Sequence, residues 1–481
     1  MIDAHPILTC AEAKEFEAAW FAGDEVREWT AMQQAGHAVA DALLNDFREI
    51  GAFPSAARLL VLAGKGHNAG DALIAARRIA EKYPQSRVEV RFVLGERALR
   101  PLAQRAWRDL APVATSASEW NSAGYDVVID GVFGYQFRAP LDARAAAVLR
   151  EVNALPIRFR AAVDLPSGLD DPSAFRADFT YATGIVKTPL LKLPNAGRVR
   201  CLDLGFNVER VATNAPDRVL TSATLDSLRG LRTSHSDKRT YGHLFVLGGS
   251  RSYPGAVLMS VMAALRSGAG LVTAFVPETL APAYAARVPE AMWVGWPEAP
   301  DGGLAMEGSH LLRERISRAT ALLIGPGLGR EPETLALAKD IVSQSQVPLV
   351  IDADALQPDI VAAGKAKRIL TPHAGEYARI ERGLTPGMVT IQKGPVTRVK
   401  IGATTYHSFF GGPVLARGGS GDLLAGLTAG LLAQSPADAE GAALRGLVWH
   451  GLAADALARE HGQVAVTTSQ VLDFMPAVLR G

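Results

Sequence analysis

The sequence predicts an α/β protein of two domains, each built on a mainly parallel sheet with helices on both faces. Short apolar runs alternate with stretches whose apolar residues have helical spacing, which is the pattern of strand–helix–strand units. At 481 residues, the chain is too long for one ordinary core. The periodicity weakens over Asn207–Asp237, so we place the boundary near residue 220, between domains 1–220 and 221–481.

The N-terminal half begins with two helices and continues as an alternating series. Apolar residues at helical spacing predict helices over Ala11–Trp20 and Thr30–Phe47. The elements expected next are the strand Arg58–Ala63, the helix Asp71–Glu81, the strand Val88–Leu94, a helix around Leu102–Leu110, the strand Tyr125–Asp130, the helix Leu141–Val152 and the strand Arg160–Asp164. Parallel sheets bind ligands beyond the carboxyl ends of their strands. The polar segments after Ala63, Asp130 and Asp164 therefore mark a candidate site.

The C-terminal half repeats this alternation. The expected elements are the strand His243–Leu247, the helix Gly255–Ser267, the strand Leu271–Val276, and the apolar runs Ala321–Ile324, Leu349–Ile351, Arg368–Leu370 and Met388–Gln392, with helices between them. Residues Gly421–Ala458 are expected to be helical, and a short helix is expected near Val471.

Composition excludes several classes of protein. Fifty basic and 49 acidic residues leave a formal charge of +1, which does not indicate a nucleic-acid partner. Cys10 and Cys201 are too few for a disulfide framework or a cysteine zinc site. The apolar run Leu423–Ala433 is too short to cross a membrane, and Met1–Thr9 lacks the features of a signal peptide. We therefore expect a cytoplasmic protein without a membrane partner.

The strongest chemical signal is the segment RGGSGD, Arg417–Asp422, which leads directly into an apolar helix. Glycines before a helix start leave backbone N–H groups and the positive end of the helix dipole beside a bound anion. A plain capping role for Asp422 is the alternative. Four further segments at strand ends carry aspartate, histidine, glutamate, lysine or glycine loops: GPGLG from Gly325, IDADAL from Ile351, TPHAGE from Thr371 and QKG from Gln392. Together they predict a nucleotide site in one crevice.

With the blocks HSDKRTYGHLFVLGGS and YPGAVLMSVMAALRSGAGLVTA, these segments make residues 232–479 resemble the ADP- or ATP-dependent NAD(P)H-hydrate dehydratases. The resemblance implies a ribokinase-like α/β/α fold. It also implies a reaction that returns hydrated NADH or NADPH to the reduced nucleotide, with Asp422 as the catalytic base. The implied substrate contacts are Ala256, Gly327, His373 and Asp422, and the implied nucleotide contacts are Lys393, Gly394, Gly419, Ser420 and Gly421. Mg²⁺ would assist at the phosphates, and ADP, cleaved to AMP and phosphate, is favoured over ATP.

A second, weaker set of residues lies in the N-terminal half. The segment AGKGHNAGD from Ala63 joins a strand to a helix and is either a phosphate loop or an ordinary helix cap. Asp130 and Asp164 each end a strand at the same edge of the predicted sheet, which favours a site. Lys187 is either a further phosphate contact or a surface lysine.

Residues 7–206 resemble the NAD(P)H-hydrate epimerases through MQQAG, AGKGHNAGD, IDGVFG, VDLPSG and the KTP segment. The resemblance implies a Rossmann-like three-layer α/β/α domain with Asp164 as the base. The implied K⁺ ligands are Asn68, Asp130 and Ser167, and the implied substrate contacts are His67, Asn68, Ala69, Gly70, Asp71, Gly134 and Asp164. The chain departs from the usual family loops at His67, Ala69 and Ala72, and at the segment FGYQF, which begins at Phe133.

Two alternatives stay open from the sequence. The C-terminal half could be a small-molecule kinase of the ribokinase superfamily, and the N-terminal half could be a catalytically dead module for binding or oligomerisation. The family resemblance favours the repair reactions, with a homo-oligomeric assembly and with hydrated NADH or NADPH and ADP as ligands.

Overall fold

The computed structural model describes residues 3–206 and 215–480, and the chain divides into two compact units. Among these residues, the N-terminal unit holds 5–206, Ala215 and Ala458–Gly462. The C-terminal unit holds 3–4, 216–457 and 463–480. Residues 216–220, which we assigned to the first domain, thus group with the second. Residues 207–214 of the expected boundary segment lie outside the described residues.

The first half of the chain follows the expected alternation. Its elements are β1 (Ala4–Pro6), α1 (Cys10–Phe21), α2 (Glu25–Phe47), β2 (Arg58–Ala63), α3 (His67–Lys82), β3 (Arg87–Phe92), α4 (Pro101–Leu110), β4 (Ala114–Ser116), β5 (Tyr125–Gly131), α5 (Ala143–Ala154), β6 (Ile157–Val163), β7 (Phe179–Thr183) and β8 (Arg198–Leu202). Helix α3 begins four residues earlier than expected, so His67–Asp71 form its first turns rather than a loop. Strands β7 and β8 were not predicted.

The N-terminal sheet has seven strands, all parallel, in the order β4-β3-β2-β5-β6-β7-β8. Alternate side chains of β2 pack into two different hydrophobic clusters. Leu59 and Val61 pack with α2 and α3, whereas Leu60 and Leu62 pack with α5. Because successive strand residues point to opposite faces, this alternation shows that helices cover both faces. The predicted three-layer α/β architecture is confirmed.

The rest of the chain forms a second α/β series. Its elements are β9 (Asp217–Leu220), β10 (His243–Leu247), α6 (Pro254–Arg266), β11 (Leu271–Pro277), α7 (Ala281–Arg287), β12 (Met292–Trp296), α8 (Ser309–Arg313), β13 (Ala321–Ile324), α9 (Pro332–Gln344), β14 (Leu349–Ile351), α10 (Pro358–Val361), β15 (Arg368–Leu370), α11 (Ala374–Ile380), β16 (Val389–Gln392), β17 (Thr397–Ile401), β18 (Thr404–Ser408), α12 (Ser420–Gln434), α13 (Ala439–His461) and α14 (Val471–Arg480). None of the helices that the structure describes is long and apolar enough to span a bilayer.

The second sheet runs in the order β1-β9-β18-β17-β16-β15-β14-β13-β10-β11-β12. Its strands from β16 to β12 are parallel, whereas β17 is antiparallel to both of its neighbours. Helices α9 and α10 pack on one face with Leu322 and Ile324, and α6 and α12 contact the strands as well. The region expected to be helical, Gly421–Ala458, is helical except for the segment from Ser435 to Asp438, which contains Pro436 and separates α12 from α13.

Candidate functional sites

Four predicted strand ends of the C-terminal unit lie side by side. Strands β13, β14, β15 and β16 are consecutive and parallel in the sheet, so their carboxyl ends share one edge. The residues that follow them are Gly325, Asp352, Thr371 and Lys393. The four segments therefore lie together at one edge of the sheet, as expected from the sequence.

Asp422 lies in the first turn of α12, directly after the glycines. Gly419, the residue before the helix, has φ +87°, a left-handed conformation that favours glycine. Burial and the charge of Asp352 together raise the pKa of Asp422 to about 6, although Lys393 opposes both. A carboxyl group with such a pKa can exchange a proton near neutral pH.

Lys393 is the cation of this site. Its Nζ donates to Asp352 Oδ1 at 3.1 Å, and the same oxygen accepts a hydrogen bond from Thr371 Oγ1 at 2.7 Å. Carboxylates around it, Asp352 first, raise the pKa of Lys393 although burial opposes them. A Cβ added to Gly421 would lie 3.0 Å from Nζ, so the ammonium group stands beside the start of α12. A phosphate at this helix end would meet both.

His373 has a structural role in this fold. Its Nδ1 accepts from the backbone N–H groups of Gly375 and Glu376, at 3.0 and 3.4 Å, and caps α11. Its Nε2 lies 3.4 Å from Glu376 Oε1, and the side chain is still 61% exposed, so a ligand could reach the ring. Ala256 and Gly327 adjoin each other, because a Cβ on Gly327 would lie 3.0 Å from the Ala256 Cβ. Gly394, the remaining predicted contact, is exposed after β16.

Helix α12 is fixed by close packing against α6. A Cβ on Gly426 would lie 2.0 Å from the Ser260 carbonyl oxygen, and Ser260 Oγ donates to the Asp422 carbonyl at 2.9 Å. The glycine allows the two helix backbones to approach, and the approach sets the position of Asp422.

We expect Gly426→Val to destabilise the C-terminal unit by about 3 kcal/mol, because a side chain there must displace backbone rather than a flexible side chain. Urea unfolding followed by circular dichroism would measure the change. Gly230→Val is the matched control, since a Cβ added to Gly230 would meet nothing within 4 Å. Equal midpoints for both variants would contradict the packing argument.

The N-terminal unit contains a cavity of about 420 Å³ at the carboxyl ends of β2, β5 and β6. Five of its lining residues were predicted as contacts: His67, Asn68, Asp71, Gly134 and Asp164. Ala69 and Gly70 do not line it. Because α3 already begins at His67, these two residues turn toward α2, where Ala69 joins the core and a Cβ on Gly70 would meet Met32.

Asp164 and Lys187 form a buried ion pair on one wall of this cavity. Asp164 is 2% exposed, Lys187 is 1% exposed, and Nζ of Lys187 donates to Oδ1 of Asp164. The alternative of a surface lysine is therefore wrong. Oδ2 of Asp164 is buried and has no hydrogen-bond partner among the residues described. Asp164 also has φ +64°, a strained conformation for a residue with a side chain.

Two further acidic residues surround this pair. Burial raises the pKa of Glu17, and Tyr135 donates to its Oε2 at 2.5 Å. Burial, with Asp164 and Glu17 nearby, raises the pKa of Asp71 well above its ordinary value. Glu17 was not predicted from the sequence, because Tyr135 is 118 residues away and no local motif marks α1.

The three predicted K⁺ ligands lie together around the backbone of Phe133. Asn68 Nδ2 donates to the Phe133 carbonyl at 3.1 Å, and the Phe133 N–H donates to Ser167 Oγ at 2.9 Å. Ser167 Oγ in turn donates to Asp130 Oδ1 at 2.6 Å. Burial raises the pKa of Asp130 to about 6, and no basic side chain contributes to that shift. Oxygen ligands and a buried carboxylate without a basic partner suit an alkali cation.

Comparison with known proteins matches the two halves of the chain to two different family models. A family model described as NAD(P)H-hydrate dehydratase matches residues 244–477, and one described as YjeF-related protein N-terminus matches residues 30–189. The bifunctional NAD(P)H-hydrate repair enzyme Nnr of Moorella thermoacetica is 31% identical over 98% of this chain and 96% of its own length. The enzyme of the same name from Gloeobacter violaceus is 32% identical over 96% and 95%. The crystal structure of the ADP/ATP-dependent NAD(P)H-hydrate dehydratase from Bacillus subtilis, co-crystallised with ATP and Mg²⁺, is 27% identical over 54% of this chain and 97% of that one, with a TM-score of 0.46.

Proposed function

Because this chain belongs to the family of bifunctional NAD(P)H-hydrate repair enzymes, we propose that its two units carry the two reactions of repair. Hydrated NADH and hydrated NADPH are written NADHX and NADPHX, and each has a (6R) and a (6S) epimer. The C-terminal unit dehydrates (6S)-NADHX and (6S)-NADPHX and cleaves a nucleotide in the same reaction. The N-terminal unit interconverts the (6R) and (6S) epimers. The observation that carries the first assignment is Asp422, which stands at a helix N-terminus beside Lys393.

Asp422 supplies the base of the dehydration. The substrate is a reduced nicotinamide ring with water added at a carbon next to the ring nitrogen, and hydroxide is a poor leaving group. Asp422 takes the hydroxyl proton while the hydroxyl oxygen attacks the terminal phosphoryl group of the nucleotide. The lone pair of the ring nitrogen then expels phosphate, and the adjacent ring carbon loses a proton to water or to the departing phosphate, which restores the double bond of the reduced ring. With ADP, the other product is AMP.

Lys393 and the start of α12 stabilise the charge on the transferred phosphoryl group. Gly421 offers a first-turn N–H group that the helix itself leaves without an acceptor, whereas the Ser420 N–H donates to the Arg417 carbonyl at 3.4 Å. Mg²⁺ bound to the phosphates would neutralise further charge. The nearby Asp352 and Asp354 already accept hydrogen bonds from protein donors, so such an ion would rest mainly on phosphate and water oxygens.

The dehydratase rate should depend on the ionisation of Asp422. We expect kcat/KM to be constant above about pH 7 and to fall about tenfold per pH unit below about pH 6, since only the carboxylate accepts the proton. A pH profile on pure (6S)-NADHX with excess nucleotide measures this. If kcat/KM began to fall only near pH 4, where an ordinary aspartate titrates, the assignment would be contradicted.

In the N-terminal unit, we assign the base to Asp164. Removal of the hydroxyl proton by Asp164 allows the bond between that carbon and the ring nitrogen to open, and its electron pair goes to the nitrogen. Closure on the opposite face returns the pair and the proton and gives the other epimer. The cavity of about 420 Å³ is of the size that ligand sites have in proteins.

K⁺ would be held by Asn68, Asp130 and Ser167, and it would balance the buried charge of Asp130. A cation beside this cavity would stabilise negative charge on the substrate. The proposed K⁺ ligands also fix the loop from Val132 to Gly134, because Asn68 and Ser167 are both hydrogen-bonded to the backbone of Phe133.

We expect the epimerase rate to fall about tenfold or more when tetramethylammonium replaces K⁺ at equal ionic strength, because a methylated cation is too large for such a site. Interconversion of the two epimers, followed by chromatography, measures the rate. Asp130→Asn should be slow and indifferent to K⁺. A wild-type rate that does not change with the cation would remove K⁺ from the proposal.

The decisive experiment supplies a mixture of both NADHX epimers with ADP or with ATP. Complete return of NADH means that both units are active. A stop near half conversion means that the epimerase assignment fails. No NADH with either nucleotide would overturn the dehydratase and revive the small-molecule kinase. The choice of ADP, a homo-oligomeric state and a cytoplasmic location stay predictions.

A further inference from the structure

The unexplained group of the N-terminal site is Lys187. A fully buried lysine is costly, since its charge loses the solvation of water. A buried ion pair seldom stabilises a fold more than apolar residues of the same size would. The pair that Lys187 forms with Asp164 therefore needs a reason other than stability, and it lies on the wall of a cavity.

The backbone holds Lys187 in place on both sides. Val186 accepts a hydrogen bond from the Leu8 N–H at 3.1 Å, and the Thr188 N–H donates to the Leu8 carbonyl at 2.9 Å. With its main chain fixed against Leu8, the side chain has one direction to follow, into the cavity wall. Its Nζ also lies 5.3 Å from the centre of the Tyr135 ring.

The carboxylate it meets is equally constrained. The Asp164 N–H donates to the Tyr181 carbonyl at 2.8 Å, and the residue keeps its left-handed φ of +64°. Lys187 occupies Oδ1 and leaves Oδ2 without a partner among the described residues. The two oxygens of one carboxylate are thereby made different.

Lys187 is also the basic residue within a cluster of acidic side chains around Asp164. The charge of Asp164 acts on Cys10 and Glu17 on α1, Asp71 on α3, Tyr135 after β5, and Lys187 itself. Four of these five are acidic groups, which can carry negative charge close to the Asp164 carboxylate. Lys187 is the basic member that touches it.

We propose that Lys187 is a positioning residue of the epimerase: it holds Oδ1 of Asp164 so that Oδ2 is the oxygen that receives the hydroxyl proton. This inference rests on the proposed epimerase function. A lysine that only positions the base should affect turnover and leave substrate binding nearly unchanged.

The test compares Lys187→Met, which keeps the length and removes the charge, with Lys187→Arg, which keeps the charge. Lys192→Met is the control, because Lys192 is an exposed lysine of the same segment. We expect Lys187→Met to lower the epimerase kcat about 100-fold with KM within about twofold. Lys187→Arg should recover at least about tenfold of that loss, since a guanidinium group also pairs with a carboxylate.

The dehydratase activity of the same chains, with thermal unfolding, reports whether each variant is intact. The inference is overturned if Lys187→Met retains its kcat, or if its kcat and KM change together and Lys187→Arg restores nothing. Should Lys187→Met fail to fold, a folded Lys187→Arg chain as inactive as Asp164→Asn would overturn it as well. If the wild-type enzyme does not interconvert the epimers, the proposed function fails and this inference fails with it. If the wild type is active and the kcat of Lys187→Met is unchanged, only the inference is rejected.

Discussion

Asp422→Asn is expected to lower the dehydratase kcat by about 10³-fold, because an amide cannot take the hydroxyl proton. The change preserves shape, and Ser260 still holds the carbonyl of residue 422. Formation of NADH from pure (6S)-NADHX and nucleotide, followed by its absorbance, measures the rate. Epimerase activity of the same chain should be unchanged, since Asp164 lies in the other unit.

This variant should also keep its stability or gain some. The folded-state pKa of Asp422 is raised to about 6, mainly by burial, so the ionised carboxyl opposes folding above that pH. Asparagine removes the charge, and the melting temperature at neutral pH should stay equal or rise. Asp359→Asn, at an exposed aspartate of α10, is the matched control. If Asp422→Asn keeps the wild-type dehydratase rate, Asp422 is not the base.

The strands that the sequence located best are those buried on both faces. Arg58–Ala63 and His243–Leu247 are continuous apolar runs, and the structure has strands at those bounds. The strand Arg198–Leu202 was not predicted, because Arg198 and Arg200 make its sequence resemble that of a surface segment. Both arginines are paired with carboxylates about 150 residues away, at Glu49 and Asp46, which neutralise them in the interior.

The same limit applies to the sites. Asp422 could be proposed from the sequence because its position is encoded locally, by glycines followed directly by a helix. The pairing of Asp164 with Lys187 could not, because either residue alone has an ordinary alternative. What makes Lys187 unusual is its burial, and burial depends on how Leu8 pairs with the segment around it. Local patterns thus reveal phosphate-binding helix ends more readily than they reveal charge pairs between distant strands.

Asp164→Asn is expected to abolish epimerisation, with a fall of about 10³-fold, while the C-terminal unit continues to work. A mixture of epimers with nucleotide should then yield NADH until the (6S) form is consumed, and adding a separate epimerase should restart the reaction. Asp170→Asn, at an exposed aspartate of the same loop, should convert the whole mixture.

Loss of the ion pair complicates this variant in a way that can be resolved. Removing Asp164 leaves Lys187 buried without its carboxylate, which costs about 3–5 kcal/mol in comparable pairs. The double variant Asp164→Asn/Lys187→Met buries neither charge, so it should recover most of that stability and still lack epimerase activity. If the double variant were stable and regained the activity, proton transfer at Asp164 could not be the chemistry of this site. If it is stable and much slower than Lys187→Met alone, the additional loss belongs to the missing base and not to a damaged fold.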